Sequence, residues 1–403
     1  MTDHDIRVLD ESHYRAAHTL FRGTLHHQPS TDEAWAFAAT SYLPGRTLGA
    51  FVDDDLVGTV MSFPSSLAVP GGAVVPMAAV SRVGVRADWT RRGVLSALKR
   101  AQLRAMVESG DVAATLRASE TAIYGRYGYG VATRYRTVRV DRAKARPRLA
   151  PSGRIRLVPG ADGVTTARSL FDRVSPGRPG TNGRWDGWWA LSLSRQVGTD
   201  EELKVAVRRG PDGDDGYAVY RVAPGEFGGP GSRPTRMTVH DLWASTPEAW
   251  ADLWTFLLGV DLVDEVVAPG RPLDEPLEWL LVDRRAVVTE GVEDETWLRL
   301  LDVPTALSAR VHEGAGRVVL GVRDGVLAEN EGSYAVTADG VERTADEPQL
   351  VVDVPVLSAA YLGDVTFSAL ATTGHLDVVD PAALAVADDL FRSAEIPWSG
   401  TFF

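Results

Sequence analysis

Residues 80–130 read VSRVGVRADWTRRGVLSALKRAQLRAMVESGDVAATLRASETAIYGRYGYG. A β-branched run ends at Val85 and passes through residues 86–90 into Arg91-Arg92-Gly93-Val94-Leu95, which opens a helix. Val94, Leu98, Ala101 and Ala105 fall on one helical stripe, with Arg92, Lys99 and Arg104 off it. Gly110 is placed to end that helix, residues 112–116 form a buried strand, and residues 121–127 form a short helix ended by Gly128. The first turn of a helix offers unpaired N–H groups and a positive dipole end. A glycine-bearing turn at Gly93, flanked by two arginines, therefore suits a pyrophosphate. Thirty residues on, three tyrosines interleave with glycines. Tyr124 is placed to protonate a leaving thiolate, whereas Tyr127 and Tyr129 read as packing aromatics.

Before this stretch, residues 47–51 and 56–63 are short strands around an Asp53-Asp54-Asp55 turn, and residues 72–85, which run into it, form a longer strand broken near Pro76. Residues 133–140 alternate again, so the first part reads β-β-β-α-β-α-β, an α/β layer pattern. A Pro- and Arg-rich linker follows at 145–153. Beyond it lie strands at 203–208 and 217–222 and a helix at 247–259, the latter carrying Trp250 and Trp254. GYAVYRV in this part holds the place of LVGTVMSF in the first, which suggests a degenerate second copy of one fold. A third unit begins near Trp297, with helices at 303–308, 356–362 and 381–392, strands at 316–323, 333–337 and 349–354, and an apolar tail at 396–403.

Composition bounds the function. A chain of 403 residues, at roughly 150 per domain, holds two to three domains. Lys and Arg total 42 and Asp and Glu 54, so the net charge is −12, which disfavours nucleic acid and favours a cationic substrate. The absence of cysteine removes disulfides, thiolate metal sites and a cysteine nucleophile. No apolar run reaches the ~18 residues of a membrane span, and the opening MTDHDIRVLD has no secretory apolar region. The expectation is a cytoplasmic protein. His26-His27 and the DGDD at 212–215 lack the spacing of metal sites, and no metal is expected. Trp185, Trp188 and Trp189 read as core or interface aromatics.

The strand, Arg-Arg-Gly helix start and IYGRYGYG together resemble the GNAT superfamily of N-acetyltransferases. Along its full length the chain resembles the Eis branch of that superfamily. The features that carry the likeness are VGVRADWTRRGVL, LRASETAIYGRYGYGVAT, YAVYRV, WLRLLDVPTALSAR at 297–310 and an aromatic last residue. The resemblance implies an α/β (α+β) fold class with tandem GNAT folds followed by a sterol-carrier-protein-like domain, divided as residues 1–145, 146–295 and 296–403. It implies acetyl-CoA as co-substrate, held by the backbone of Val83, Gly84 and Val85 and by Arg91, Arg92, Gly93 and Val94, with Ser119 near the thioester. It further implies Tyr124 as general acid and the carboxylate of Phe403 as proton acceptor, in a homohexamer.

Only the first fold is expected to be catalytic, because the second lacks both the helix start and the tyrosine segment. The acceptor is a primary amine, with an aminoglycoside as one possibility. Aminoglycoside-acetylating members of the family carry an acid just before the terminal aromatic, where this chain has Phe402, and FRGTLHHQPSTDEAW at 21–35 has no acid before Asp32. Two alternatives stay open: a lysine or polyamine acetyltransferase, and a non-catalytic protein that binds an apolar ligand.

Overall fold

The computed structural model describes residues 4–193, 203–225 and 233–403. The first stretch forms β1 (Asp5–Val8), α1 (Glu11–Thr24), α2 (Asp32–Ala39), β2 (Thr47–Val52), β3 (Asp55–Ala68), β4 (Val74–Val85), α3 (Val94–Glu108), β5 (Ala113–Leu116) and β6 (Gly130–Val131). The middle forms β7 (Arg134–Asp141), β8 (Arg154–Val158), α4 (Gly160–Val174), α5 (Asp186–Ser192), β9 (Lys204–Gly210), β10 (Gly213–Ala223), β11 (Arg236–Ala244), α6 (Pro247–Gly259), β12 (Glu265–Arg271), α7 (Leu277–Leu280) and β13 (Val287–Asp294). The last forms β14 (Trp297–Leu300), α8 (Val303–Ala309), β15 (Arg317–Arg323), β16 (Gly332–Thr337), β17 (Gly340–Thr344), β18 (Leu350–Asp353), α9 (Val354–Ala360), α10 (Phe367–Thr372), β19 (Leu376–Val378) and α11 (Ala383–Phe391).

The chain packs as two compact units. One takes the chain up to Thr133 with Arg178–Trp188 and Glu295–Phe403; the other takes Arg134–Gly177 and Trp189–Asp294. The first unit holds a seven-stranded sheet ordered β1-β2-β3-β4-β5-β14-β6 and a five-stranded sheet ordered β17-β16-β15-β18-β19. The second holds a seven-stranded sheet ordered β13-β7-β12-β11-β10-β9-β8. Read from β8, this order repeats the first sheet's, strand for strand.

Two strands depart from the sequence expectation. Trp297–Leu300, expected to open the third unit, instead pairs antiparallel with β5 and β6 and completes the first sheet. β7, expected to close the first fold, pairs with β12 and β13 in the second sheet. Each sheet thus takes its sixth strand from beyond a linear boundary at 145/146 or 295/296. Alternation marks residues 133–140 as a strand but does not say which open edge it will pair with, and the uniformly buried Trp297–Leu300 carries no alternation to mark it as one. Pro76 does not break β4, and its carbonyl accepts the Val112 N–H at 2.9 Å.

Helix starts are set locally. Asp10 caps α1 by accepting from the Ser12 N–H, Thr31 caps α2 and Asp302 caps α8. In the first sheet, α3 covers one face through Val94, Leu98, Leu103 and Met106 against Ala50, Val57, Val60, Ala78 and Ala114. Burying such side chains contributes about 1.5–3 kcal/mol each, which fixes α3 and its N-terminus on the sheet. On the opposite face Tyr14 and Ala17 of α1 join Phe51, Met61, Phe63 and Met77.

Candidate active site

The site begins where β4 and β5 part. They pair in parallel only through Met77, Ala78 and Ala79 against Ala113, Ala114 and Thr115. β4 continues to Val85 along β3, so the far edge of residues 82–85 has no strand partner among the described residues. Thr59 pairs with Gly84 and Met61 with Ser81, so Arg82 and Val83 together face the single residue Val60. This is a β-bulge, with Arg82 in a left-handed conformation at φ 52°, and it bends the strand where its edge is exposed. The fork offers backbone donors and acceptors to an extended ligand arm.

The turn after β4 delivers the chain to α3. Gly93 sits at φ 86°, a left-handed conformation that suits glycine, and Arg91 adopts φ 61°. Among the described residues no side chain caps α3, and its first turn has no acid, while Arg91 and Arg92 are exposed beside it. Unmet first-turn N–H groups, a helix of 15 residues and two cations fit a pyrophosphate. Along α1 and the end of β4 lies a cleft of about 850 Å³, lined in part by Thr19, Thr24, Leu56, Val85 and Thr90.

The segment after β5 differs from expectation in form. Residues 121–124 are turns and Gly125–Tyr127 is a single 3-10 turn, with Gly128 left-handed at φ 90°. Its three tyrosines are all buried but differently committed. The Tyr127 hydroxyl is hydrogen-bonded to Ser96 Oγ at 3.0 Å, and the Tyr129 hydroxyl accepts from Lys99 Nζ at 3.0 Å. The Tyr124 hydroxyl has no protein hydrogen-bond partner among the described residues. Burial, aided by the nearby Glu120 charge, pushes its phenol up to about 12, so it stays protonated at neutral pH. Ser119 is exposed at the mouth of β5.

Phe403 also arrives at this end of the first sheet. Its ring meets Trp185 edge-on at 5.5 Å, and Trp185 stacks on Phe63 of β3 at 4.3 Å. The Phe402 side chain is 70% exposed, yet Arg117, two residues before Ser119, lies 4.7 Å over its ring and donates to the Thr401 carbonyl. The Trp188 indole N–H donates to the Phe402 carbonyl at 2.6 Å.

Sequence reasoning missed Arg117, Glu295 and the placement of Trp185. The run of tryptophans at 185–189 was the one available signal for the last, and it carried no position. His26 and His27 are exposed, and no group of three or more His, Cys, Asp or Glu is placed to hold a metal among the described residues.

Three family descriptions match the chain. An acetyltransferase (GNAT) domain covers residues 5–132, a second covers 180–310, and a sterol carrier protein domain covers 303–400. An uncharacterized N-acetyltransferase of Streptomyces avermitilis is 38% identical over 88% of both chains. The N-acetyltransferase Eis of Mycobacterium tuberculosis is 33% identical over 88% of this chain and 87% of its own. The crystal structure of Eis1 from Mycobacterium abscessus superposes with a TM-score of 0.90 at 37% identity, covering 99% of this chain and 100% of that one. With two GNAT domains and a sterol carrier protein domain along its length, the chain belongs to the Eis family of GNAT N-acetyltransferases, a fold that implies acetyl-CoA as co-substrate.

Proposed function

We propose that the first fold transfers the acetyl group of acetyl-CoA to a primary amine by direct attack in a ternary complex. The observation that carries this reading is the uncommitted Tyr124 hydroxyl, in the same fold as the uncapped start of α3. Acetyl-CoA supplies an activated acyl group with a thiolate leaving group. Val83, Gly84 and Val85 align it by strand-like pairing, and Arg91, Arg92, Gly93 and Val94 hold its pyrophosphate, with Ser119 beside the thioester. Rate then comes from positioning and from backbone donors aimed at the acyl oxygen.

Protons set the remaining roles. A C–N bond forms, the C–S bond breaks, and the nitrogen sheds a proton. A thiol near ~8.5 is a stronger acid than the Tyr124 phenol, so the phenol acts by donating a hydrogen bond to the departing sulfur and sharing its proton as charge builds. The Phe403 carboxylate, ordinarily near ~3.5, attracts the ammonium and passes its proton on. Adding residues after Phe403 replaces that anion with an amide, and kcat should fall about 100-fold. A fully active extended protein would remove Phe403 from the mechanism.

The net charge of −12 supports a cationic acceptor, an aminoglycoside or else a lysine side chain or polyamine. Following coenzyme A release across aminoglycosides, polyamines and basic peptides separates these. No release with any amine would leave the non-catalytic alternative, a protein that binds an apolar ligand. The proposal includes the three-part division at 1–145, 146–295 and 296–403, a homohexamer testable by light scattering, and a cytoplasmic location testable by fractionation.

A further inference from the structure

Within the first unit, the tail is held by a charge. The side chain of Glu295, two residues before the strand-completing segment β14, is fully buried. Oε1 accepts from the Gly400 N–H at 3.1 Å and from Arg117 at 3.0 Å. Oε2 accepts from the Ser399 N–H at 2.8 Å and from the Thr133 hydroxyl at 2.9 Å. Two successive tail amides thus close around one carboxylate, a wrap that Gly400 permits at φ 62°.

Other bonds follow the same course. Arg184 donates to the Gly400 carbonyl at 2.7 Å, and the Thr401 hydroxyl donates to the Asn182 carbonyl at 3.0 Å. Ser399 and Thr401 are fully buried, whereas Phe402 is mostly exposed, and hydrogen bonds to the tail's backbone and hydroxyls hold it between buried Trp398 and partly buried Phe403. A carboxylate that accepts four hydrogen bonds is strongly directional, and each charge-assisted bond is short and specific.

We propose that Glu295 is a positioning residue for acetyl transfer. Its carboxylate clasps residues 399 and 400 and so sets where Phe403 lies at the mouth of β5. This rests on the reading of the Phe403 carboxylate as proton acceptor. Glu295→Gln keeps the shape but turns one acceptor oxygen into a donor, so at least one of the donors that now meet it loses its partner. Displacing the reacting group by about 1 Å costs up to ~100-fold, so kcat should fall by that order with the KM for acetyl-CoA unchanged. Carboxypeptidase should release Phe403 faster from the folded variant.

A merely structural role predicts something else, and a double variant separates the two. If Glu295 acts only through Phe403, Glu295→Gln in a protein extended beyond Phe403 costs nothing more than the extension alone. Losses that multiply, or a Glu295→Gln protein with wild-type kcat beside an inactive extended one, overturn the clasp. An extended protein with full activity overturns the Phe403 reading, and the clasp falls with it. Should Glu295→Gln fail to fold, Thr133→Val removes one of the four bonds and should show the same non-additivity with a smaller loss. Unchanged kcat and unchanged tail release in Thr133→Val then count against the proposal.

Discussion

The two seven-stranded sheets repeat one topology, and they differ most where the first keeps its fork open. In the first sheet β4 runs past β5 and, among the described residues, has no further strand partner on that edge and delivers the chain to an α3 start with no side-chain cap and no acid. In the second, β11 and β12 likewise pair through only three residues, Arg236, Met237 and Thr238 against Glu265, Val266 and Val267. There the fork is filled. Arg271 at the end of β12 donates to the Leu242 carbonyl on β11 at 3.3 Å, and its charge is met by buried Glu275 at 2.7 Å. Trp250 and Trp254 of α6 donate to the same carboxylate. The helix start is closed as well: Thr246 accepts from the Ala249 N–H, Pro247 has no N–H to offer and Glu248 sits in the first turn. One arrangement leaves its first-turn donors uncapped by a side chain, and the other spends its donors internally.

Reversing the charge of the open start should produce the largest effect. Gly93→Glu puts a carboxylate at the anion face, on a residue whose left-handed backbone disfavours any side chain. Acetyl-CoA affinity measured by calorimetry should fall at least ~100-fold in folded protein, given the loss of dipole and amide contacts. Glu248→Arg in the second fold should leave it unchanged. Equal affinity in wild type and Gly93→Glu would mean the turn is not the phosphate site.

A pair of tyrosines sharpens the same contrast by rate against stability. Tyr124→Phe removes the uncommitted hydroxyl, so kcat should drop about 100-fold with acetyl-CoA binding retained. Tyr217 of β10 is fully buried and donates to Asp241 at 2.7 Å. Tyr217→Phe leaves that carboxylate short of a donor, costing about 1–3 kcal/mol of stability by denaturant titration, with kcat unchanged. Loss of rate in the Tyr217 variant, at a temperature where it stays folded, would undo the distinction.

The sequence made the local elements of the first fold more legible than its packing. The start of α3 at Gly93 was readable because it depends on a local feature, a left-handed glycine ahead of an amphipathic run. Lys99 was not. Assigned to the polar side of α3, it is fully buried, and its amine bonds Gln102 and Tyr129, the latter thirty residues away. Burial and the nearby Arg299 bring that amine down to about 7. The helix expected at 121–127 is only turns and a 3-10 segment, because Gly125 and Gly128 weaken any helical run. The exchange of β7 and β14 and the grip of Glu295 on the tail join residues more than a hundred positions apart, which no local pattern encodes.

The mildest test concerns the cap that the first fold lacks. Thr246 holds the start of α6, whose Leu253, Trp254 and Leu257 are wholly buried in the second core. Thr246→Ala deletes the hydroxyl that meets the Ala249 N–H, and caps of this kind contribute about 1 kcal/mol. Packing of α6 keeps the helix in place, so the midpoint of denaturant unfolding should shift by that amount while kcat and the KM for acetyl-CoA stay at wild-type values. If the second fold is a scaffold, freeing its helix start costs stability alone, since Pro247 still lacks an N–H and Arg271 with Glu275 still fills the fork. A change in acetyl-CoA affinity on Thr246→Ala would show that the second start still takes part in binding, and the contrast between the folds would then be one of degree.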